Sequence, residues 1–504
     1  MLQVIEKTEK IFERLVSSIN VDQRITSDSE FNSDSFASSN LFSLEDDTAS
    51  YYGLLLLLTN LDSRCQVERG FSKDLTQRII DRIDLVINTQ LNEIIKNPIF
   101  REMEACWLGI KDLVDNTDFE NNVKIDLLDV SKDELMLDFD CSSVDITSAE
   151  LFKKVYYAEY DQFGGNPYAA ILGLYEFENT PEDIDFLSTV GKIATACHSP
   201  FISSISASFF RLKDIKDIQE TRDIEGLMRH PRYKKWNRLR NTEQAAYIGL
   251  TLPRYIVREP WAPDTYPAGE NARSFREKVN PLDKSHYVWS FASLLLARNL
   301  TRSFETSGWC QYIRGPRGGG LLKGLPTHIF NIRGREEIKA PVECIISDSK
   351  ELALAKAGLI PLIYEKNSTN ACFFSVQSLK QSKIYKDNDD TKRSQMISNL
   401  AYTFSVSRIA HYIKEVGRLN IGANSNAAYV TKALNEWINQ YVTEVSSPSS
   451  GTLAYYPFKK AHVSLEAAEG QAGWYRCKFS VLPHLQFEGI SVSLSLETKL
   501  SVPA

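Results

Sequence analysis

The stretch YAAILGLYEFENTPEDIDFLSTVGKIATACHSPFISSISASFF, residues 168–210, decides the fold class. YAAILGLYEF is an almost unbroken apolar run of strand length and reads as a buried central strand. TPEDIDFLSTVGKIATACHSP follows as a helix with Pro181 in its first turn. FISSISASFF is then a second strand. This strand–helix–strand order predicts a mostly parallel or mixed sheet covered by helices, an α/β arrangement.

Working outward, KIDLLDV (124–130) reads as a strand and DITSAELFKKVYYAEY (145–160) as a helix entered through Asp145 and Thr147. Before them, Ile79, Ile80, Ile83, Val86, Ile87, Leu91, Ile94 and Ile95 recur at helical spacing. NPIF breaks that run, and FREMEACWLGIKDLV resumes it. Nearer the N-terminus, Val4, Ile5, Phe12, Leu15, Val16 and Ile19 form an imperfect helical stripe. Residues 20–50 are rich in Ser, Asp and Asn, with isolated Phe31, Phe36, Leu41 and Phe42. Such a composition cannot bury its own core. Two readings stand: a disordered tail, or an arm that orders on a partner with these apolar residues as anchors.

Downstream, SKIYKDNDDTKRS (382–394) is polar, without apolar period, and reads as a linker. Two helices follow, one carrying Ile397, Leu400, Phe404, Ile409, Tyr412, Ile413 and Val416. The other carries Tyr429, Val430, Leu434, Trp437, Ile438, Tyr441 and Val442. The chain ends in strands, WYRCKFSVL and GISVSLSLETKL. The expected organisation is an N-terminal helix and flexible arm (1–50), a helical region (51–115), an α/β domain (116–382) and an α+β domain (383–504).

Composition narrows the function. The formal net charge of -7 over 504 residues gives no basic field for nucleic acid. The charged N-terminus has no apolar core of a signal peptide, and Leu54–Leu58 is far shorter than the roughly 20 residues that span a bilayer. A cytosolic protein without direct membrane insertion is expected. The eight cysteines form no CxxC and have no His at metal-ligand spacing, so reduced, mostly buried thiols are expected, with no metal.

The stretch IRGPRGGGLLKGLP invites a phosphate-loop reading and fails it. A P-loop needs Gly-Lys-Ser/Thr, whereas Lys323 precedes Gly324 and Leu325 follows. Gly315, Gly318, Gly319 and Gly320 read as a structural loop needing positive φ and close backbone approach. Cys197 and His198 are adjacent, but nucleophile activation needs a spatial pair and an orienting third group, which a dipeptide does not supply. DNDD at 387–390 lacks the rest of a calcium loop. No enzyme constellation and no cofactor emerge. At the C-terminus, Ile490, Val492, Leu494 and Leu496 alternate strictly with Ser491, Ser493, Ser495 and Glu497. That strand either completes its own domain or pairs between chains.

Several segments together resemble one family. NPIFREMEACWLGIKDLV is similar to its "NPxF…xExxWxGLxxLV" signature. FGGNPYAAILGLYEFENTPEDIDFL resembles "GG-x-PYG…GDYEF…xPEDxxxL", and ATACHSPF resembles "AAAHAPF". WNRLRNTEQAAYIGLTLPRYIVREPW, WCQYIRGPRGGGLLKGLPTH, ELALAKAGLIPLIYEKNSTNACFFSVQSLKQSKIY and SRIAHYIKEVGRLNIG match further blocks in the family's order. GWYRCKFSVLPHLQFEGISVSLSLETKL is similar to "GWYxxxxxLRPHFQLxxLxxSLRLVxxLP". The blocks run from about residue 97 to 500. The family is the large sheath subunit of type VI secretion systems (TssC or VipB), and the divergence resembles its IglB branch. Ala169, Ser199 and Leu482 depart from the usual Gly, Ala and Arg.

The resemblance implies a contractile phage-tail-sheath-like fold and no catalysis. It implies a small sheath subunit (TssB, VipA or IglA-like) as partner, self-association into a helical polymer, an inner tube of hexameric rings, a baseplate and an AAA+ ATPase that recycles the contracted form. Neighbours would be joined by exchanged strands, which favours the between-chain reading of Ile490–Leu496 and an ordered arm at 20–50. The competing classes are an α/β enzyme using the Gly-rich loop or Cys197 and His198, and a soluble adaptor with a disordered N-terminus.

Overall fold

The computed structural model describes residues 73–262, 275–383, 385–419, 427–443, 445, 449–467 and 475–484. The chain divides into two compact units, residues 1–86 and 87–504, and the account below concerns the second. Helix α1 spans Lys73–Lys96. Asn97 then stops it and caps α2, Pro98–Asp115, its side chain accepting from the Ile99 and Phe100 N–H groups, with Pro98 at the first helical position. Helix α3, Lys132–Cys141, opens with a capping box between Ser131 and Glu134. A π-helical segment covers Lys153–Tyr160.

Strand β1 is Ile171–Phe177, α4 is Pro181–Cys197 and β2 is Phe201–Ile205. Then come α5 (Lys234–Arg240), β3 (Ile248–Leu252), the short pair β4 (Tyr255–Ile256) and β5 (Trp289–Ser290), and α6 (Ala292–Ser307). Next are β6 (Leu321–Leu322), a hairpin of β7 (Ile329–Ile332) and β8 (Arg335–Ile338), α7 (Asp348–Lys356), β9 (Ile360–Tyr364) and β10 (Ala371–Phe373). The main sheet runs β1-β2-β3-β9-β10-β6. Its first four strands are parallel and β10 is antiparallel to both neighbours, so the expected mixed sheet is present.

The pleat sorts the core. Phe201 and Ile205 of β2 pack on one face with Phe177, Leu187 and Val190 and the fully buried Trp236 of α5. Ile202 points to the other face, against Leu295, Leu296 and Leu300 of α6. The result is a helix–sheet–helix sandwich. The serines inside β2 are satisfied: Ser203 Oγ donates toward the Gly173 and Tyr175 carbonyls at 2.8 Å, and Ser204 Oγ meets Thr251 Oγ1 at 2.9 Å.

Three expectations need correction. YAAILGLYEF contains a strand, but β1 lies at the sheet edge, and its residues are mostly half-buried. It is apolar because helices flank its two faces, not because strands flank its two edges. KIDLLDV forms no strand: Tyr175 Oη takes the Val130 carbonyl at 2.6 Å, and Leu127 and Leu128 are exposed. The segment 382–394 is not wholly linker, since α8 spans Asn388–Ile397.

Helix α2 packs into the same core. Its Ala105 joins the α6 cluster, and a Cβ on Gly109 would meet Ser290 Oγ and Leu294 Cδ1. Beside it, buried Arg258 forms ion pairs with Glu104 at 2.6 Å and Glu277 at 2.7 Å.

The C-terminal part contains α9 (Leu400–Leu419), α10 (Ala427–Asn439), β11 (Phe458–Ala467) and β12 (Tyr475–Pro483). Its order, helices before antiparallel strands, matches the α+β expectation. Helix α9 belongs to two cores. Leu400, Ala401 and Phe404 sit in the sheet's α6 cluster, whereas Ile409, Ile413 and Val416 pack with Leu434, Ile438, Phe458 and Val463.

Candidate intersubunit edge

Asn435 fixes which edge of the β11–β12 ribbon is open. Its side chain donates to the Val463 carbonyl at 2.7 Å and accepts from the Val463 N–H at 2.9 Å. Both backbone groups of Val463 therefore point away from β12. In an antiparallel ladder the residue opposite, Phe479, must point its own groups away from β11. The period of two extends this to Cys477, opposite Leu465, and Val481, opposite Ala461. Further along β11, Phe458 donates to the Tyr441 carbonyl at 3.3 Å and accepts from the Thr443 N–H at 3.0 Å, closing that outer edge again. So the outer edge of β11 is covered by its own domain at Val463 and Phe458. Among the described residues β12 pairs only with β11, and its far edge presents the N–H and C=O groups of Cys477, Phe479 and Val481. Their side chains are held in place by half-burial against the α10 cluster. Such an edge is a template for a further strand.

A second surface lies on α2. Ile99, Met103 and Trp107, spaced by four, are 79%, 53% and 62% exposed and form one apolar ridge opposite the buried face. A contiguous apolar ridge of this size is typical of an interaction surface. Neither surface was singled out in the sequence. The ridge was legible as a second four-residue repeat inside a helix already read. The open edge was not, because it depends on where one Asn amide lands.

The sequence-derived sites fare differently. Ile490, Val492, Leu494, Leu496, Phe31, Phe36, Leu41 and Phe42 lie outside the described residues. The Gly-rich loop is described. Gly315 and Gly319 have φ of 71° and 87°, and a Cβ on Gly320 would lie 2.6 Å from the Gly315 nitrogen and strike the Phe373 carbonyl. The loop's N–H groups are turned inward. Gly315 donates to Phe373 O at 2.7 Å, while Gly318 and Gly320 donate to Gly315 O at 3.2 and 2.9 Å. A phosphate cradle needs such groups free.

Cys197 and His198 are not a nucleophile pair. Cys197 is buried, and burial pushes its thiol up to about 12. His198 caps α4 in the left-handed region, φ 51°, and its Nδ1 contacts Tyr247 Oη at 3.1 Å. The imidazole nearest in hydrogen-bonding terms is His411, whose Nε2 meets the Cys197 carbonyl, not its sulfur. Among the described residues no group of His, Cys, Asp and Glu is placed to hold a metal, and no helix is long and apolar enough to cross a membrane.

Residues 77–380 match the model of the EvpB/VC_A0108 tail sheath N-terminal domain (VipB), and residues 389–500 match the tail sheath gpW/gp25-like domain of the same proteins. The type VI secretion system sheath protein TssC1 of Pseudomonas aeruginosa is 37% identical over 429 residues, 84% of this chain and 85% of that protein. Two solved structures show a weak likeness at 10% identity. The anti-feeding prophage baseplate covers 75% of this chain and 84% of its own (TM-score 0.34). The contracted helical sheath of that prophage covers 62% and 67% (TM-score 0.28). With both family models matched in order along a chain that folds as a mixed α/β sheet followed by an α+β unit, the chain belongs to the VipB (TssC) tail sheath family of type VI secretion systems.

Proposed function

We propose that this chain is the large structural subunit of a contractile sheath and that it assembles by strand exchange at the open edge of β12. The carrying observation is the asymmetry of the ribbon. Asn435 and residues 441–443 cover β11 at Val463 and Phe458, while among the described residues β12 pairs with β11 alone and turns the main-chain groups of Cys477, Phe479 and Val481 outward. A one-sided edge makes a head-to-tail contact, which propagates into a helical polymer instead of closing into a two-fold dimer. The strand at Ile490–Leu496 and the arm at 20–50, with Phe31, Phe36, Leu41 and Phe42, are the segments proposed to fill such edges on neighbours. The Ile99–Met103–Trp107 ridge supports a second contact, assigned here to the small sheath subunit.

In this reading the polymer surrounds an inner tube, rests on a baseplate and contracts to propel the tube for effector delivery, with an AAA+ ATPase dismantling the contracted form. The energy is stored in subunit contacts at assembly, so no catalytic group is required of this chain. Rigid-body rotations of many subunits add along the helix. Co-expression with the small sheath protein tests the reading. Val492→Asp places an unpaired charge in the apolar face of the exchange strand, at a cost of about several kcal/mol. The small subunit is expected to co-purify while polymers are lost. Loss of the co-purifying partner as well would assign the strand to the subunit's own core.

A further inference from the structure

The C-terminal half of α9 lies along the sheet domain through a seam of imidazoles and phenols. His411 sits against the end of α4. Because a carbonyl only accepts, its Nε2 carries the proton donated to Cys197 O at 2.9 Å. His198 is next to it, ring centroids 6.4 Å apart, and Tyr160 faces both, at 5.6 Å from His411 and 6.1 Å from His198. One turn along α9, Lys414 Nζ lies 3.6 Å from the centre of the Tyr160 ring and 2.7 Å from Asp161 Oδ1. Arg418 donates to the Tyr160 and Gln162 carbonyls at 2.7 and 3.1 Å. The first of these carbonyls ends the π-helical segment and the second lies just beyond it, so α9 grips the sheet domain at the end of an irregular helix.

The charges around the two imidazoles are unbalanced. From α9 they face Arg408 and Lys414, with Arg418 and Glu415 beyond, and Glu415 is engaged by Arg418 at 3.7 Å. From α4 comes Cys197, from the π-helical segment Tyr156 and Tyr160, and from the turn before β3 Tyr247. The carboxylate at this seam is Asp161, already committed to Lys414 and, at 3.8 Å, to Arg418. Among the described residues the two imidazoles meet two cations and no available carboxylate, so they are held best while neutral.

We propose that this seam is an acid-released latch: protonation of His411 and His198 loosens the C-terminal half of α9 from the sheet domain, leaving the hairpin held there through Trp309. Burial, with Lys414 and Arg408 nearby, pushes His411 down to about 4 and lowers His198 in the same direction. The open form regains the ordinary value near 6.5 and so binds more protons between pH 6.5 and 4. The latch is therefore fully closed above that window and loosens as pH falls through it.

Hydrogen exchange on the full chain at pH 7 and pH 5, corrected for intrinsic rates, tests this. The expected result is that amides of residues 405–419 open about twentyfold more often at pH 5 than at pH 7, the factor given by moving one imidazole from 6.5 to about 4. His411→Gln keeps a donor for Cys197 O without a titrating charge. His198→Asn keeps a residue that tolerates the left-handed backbone. Each single variant should remove part of the pH dependence and the pair nearly all of it, so misfolding of one still leaves the other to decide. Equal pH dependence in the wild type and a folded variant would overturn the proposal, as would wild-type protection unchanged between the two pH values.

Discussion

Trp309 stands edge-on to Phe458, ring centroids 5.2 Å apart and planes at 89°, and so joins the segment after α6 to the first residue of the C-terminal hairpin. Tyr441 also meets the indole edge-on at 5.1 Å, and the Arg408 guanidinium lies 5.3 Å from its ring. Trp309→Ala should therefore cost about 3–5 kcal/mol by emptying a site that is 2% exposed. Urea unfolding followed by far-UV circular dichroism measures it, and Trp309→Phe should recover a substantial part.

The buried triad makes a second prediction. Arg258→Met strands Glu104 and Glu277 without their cation and should destabilise by about 3–5 kcal/mol. Replacing all three by apolar residues of similar volume should restore most of that loss, because the desolvation cost leaves together with the pairing. Thermal unfolding of the single and triple variants decides between them.

Thiol chemistry separates a structural cysteine from a nucleophile. Burial raises Cys197 and Cys372 to about 12 and Cys344 to about 11. At pH 8 these groups hold almost no thiolate, so they should stay unmodified by a thiol-reactive dye in the native protein and react on unfolding. Exposed Cys141 should react at once. Rapid native labelling of Cys197, mapped by mass spectrometry, would restore the nucleophile reading.

The Gly-rich loop predicts a contrast between neighbours. Gly320→Ala drives a Cβ into the Phe373 carbonyl and should unfold or strongly destabilise the sheet's β10–β6 side. Lys323→Ala, at an exposed site, should leave the melting temperature unchanged and remove no nucleotide binding. Saturable ATP binding lost in that variant would contradict this.

Much of the architecture was legible because it rests on local signals. Pro181 at the head of α4, the apolar runs of β1 and β2 and the 3.6-residue stripe of α9 are each readable in one window. What failed was lateral placement. Strand order depends on contacts far apart in sequence, so an apolar run flanked by helices was indistinguishable from one flanked by strands, and β1 was misplaced to the centre. KIDLLDV has the alternation of a strand but joins no sheet, and only its last carbonyl, that of Val130, is taken by Tyr175 Oη, a contact that no periodicity reveals. Of the interface, the C-terminal alternation was visible, but the open edge of β12 follows from Asn435 folding back onto Val463.

The most direct measurement is negative-stain microscopy of polymers formed by the chain co-expressed with a small sheath protein, for two adjacent proline variants of β12. The Val481 N–H points to the open edge, so Val481→Pro removes a donor there and leaves the β11 ladder intact, whereas Ser480→Pro breaks the pairing with His462 inside the hairpin. The account predicts hollow helical tubes from the wild type, and from Val481→Pro a folded complex, its melting temperature lowered less than in Ser480→Pro, but no tubes. Ser480→Pro should show a lowered melting temperature. Normal tubes from Val481→Pro would contradict assembly through this edge, and a wild-type chain that forms no tubes with any small sheath partner would contradict the sheath reading itself.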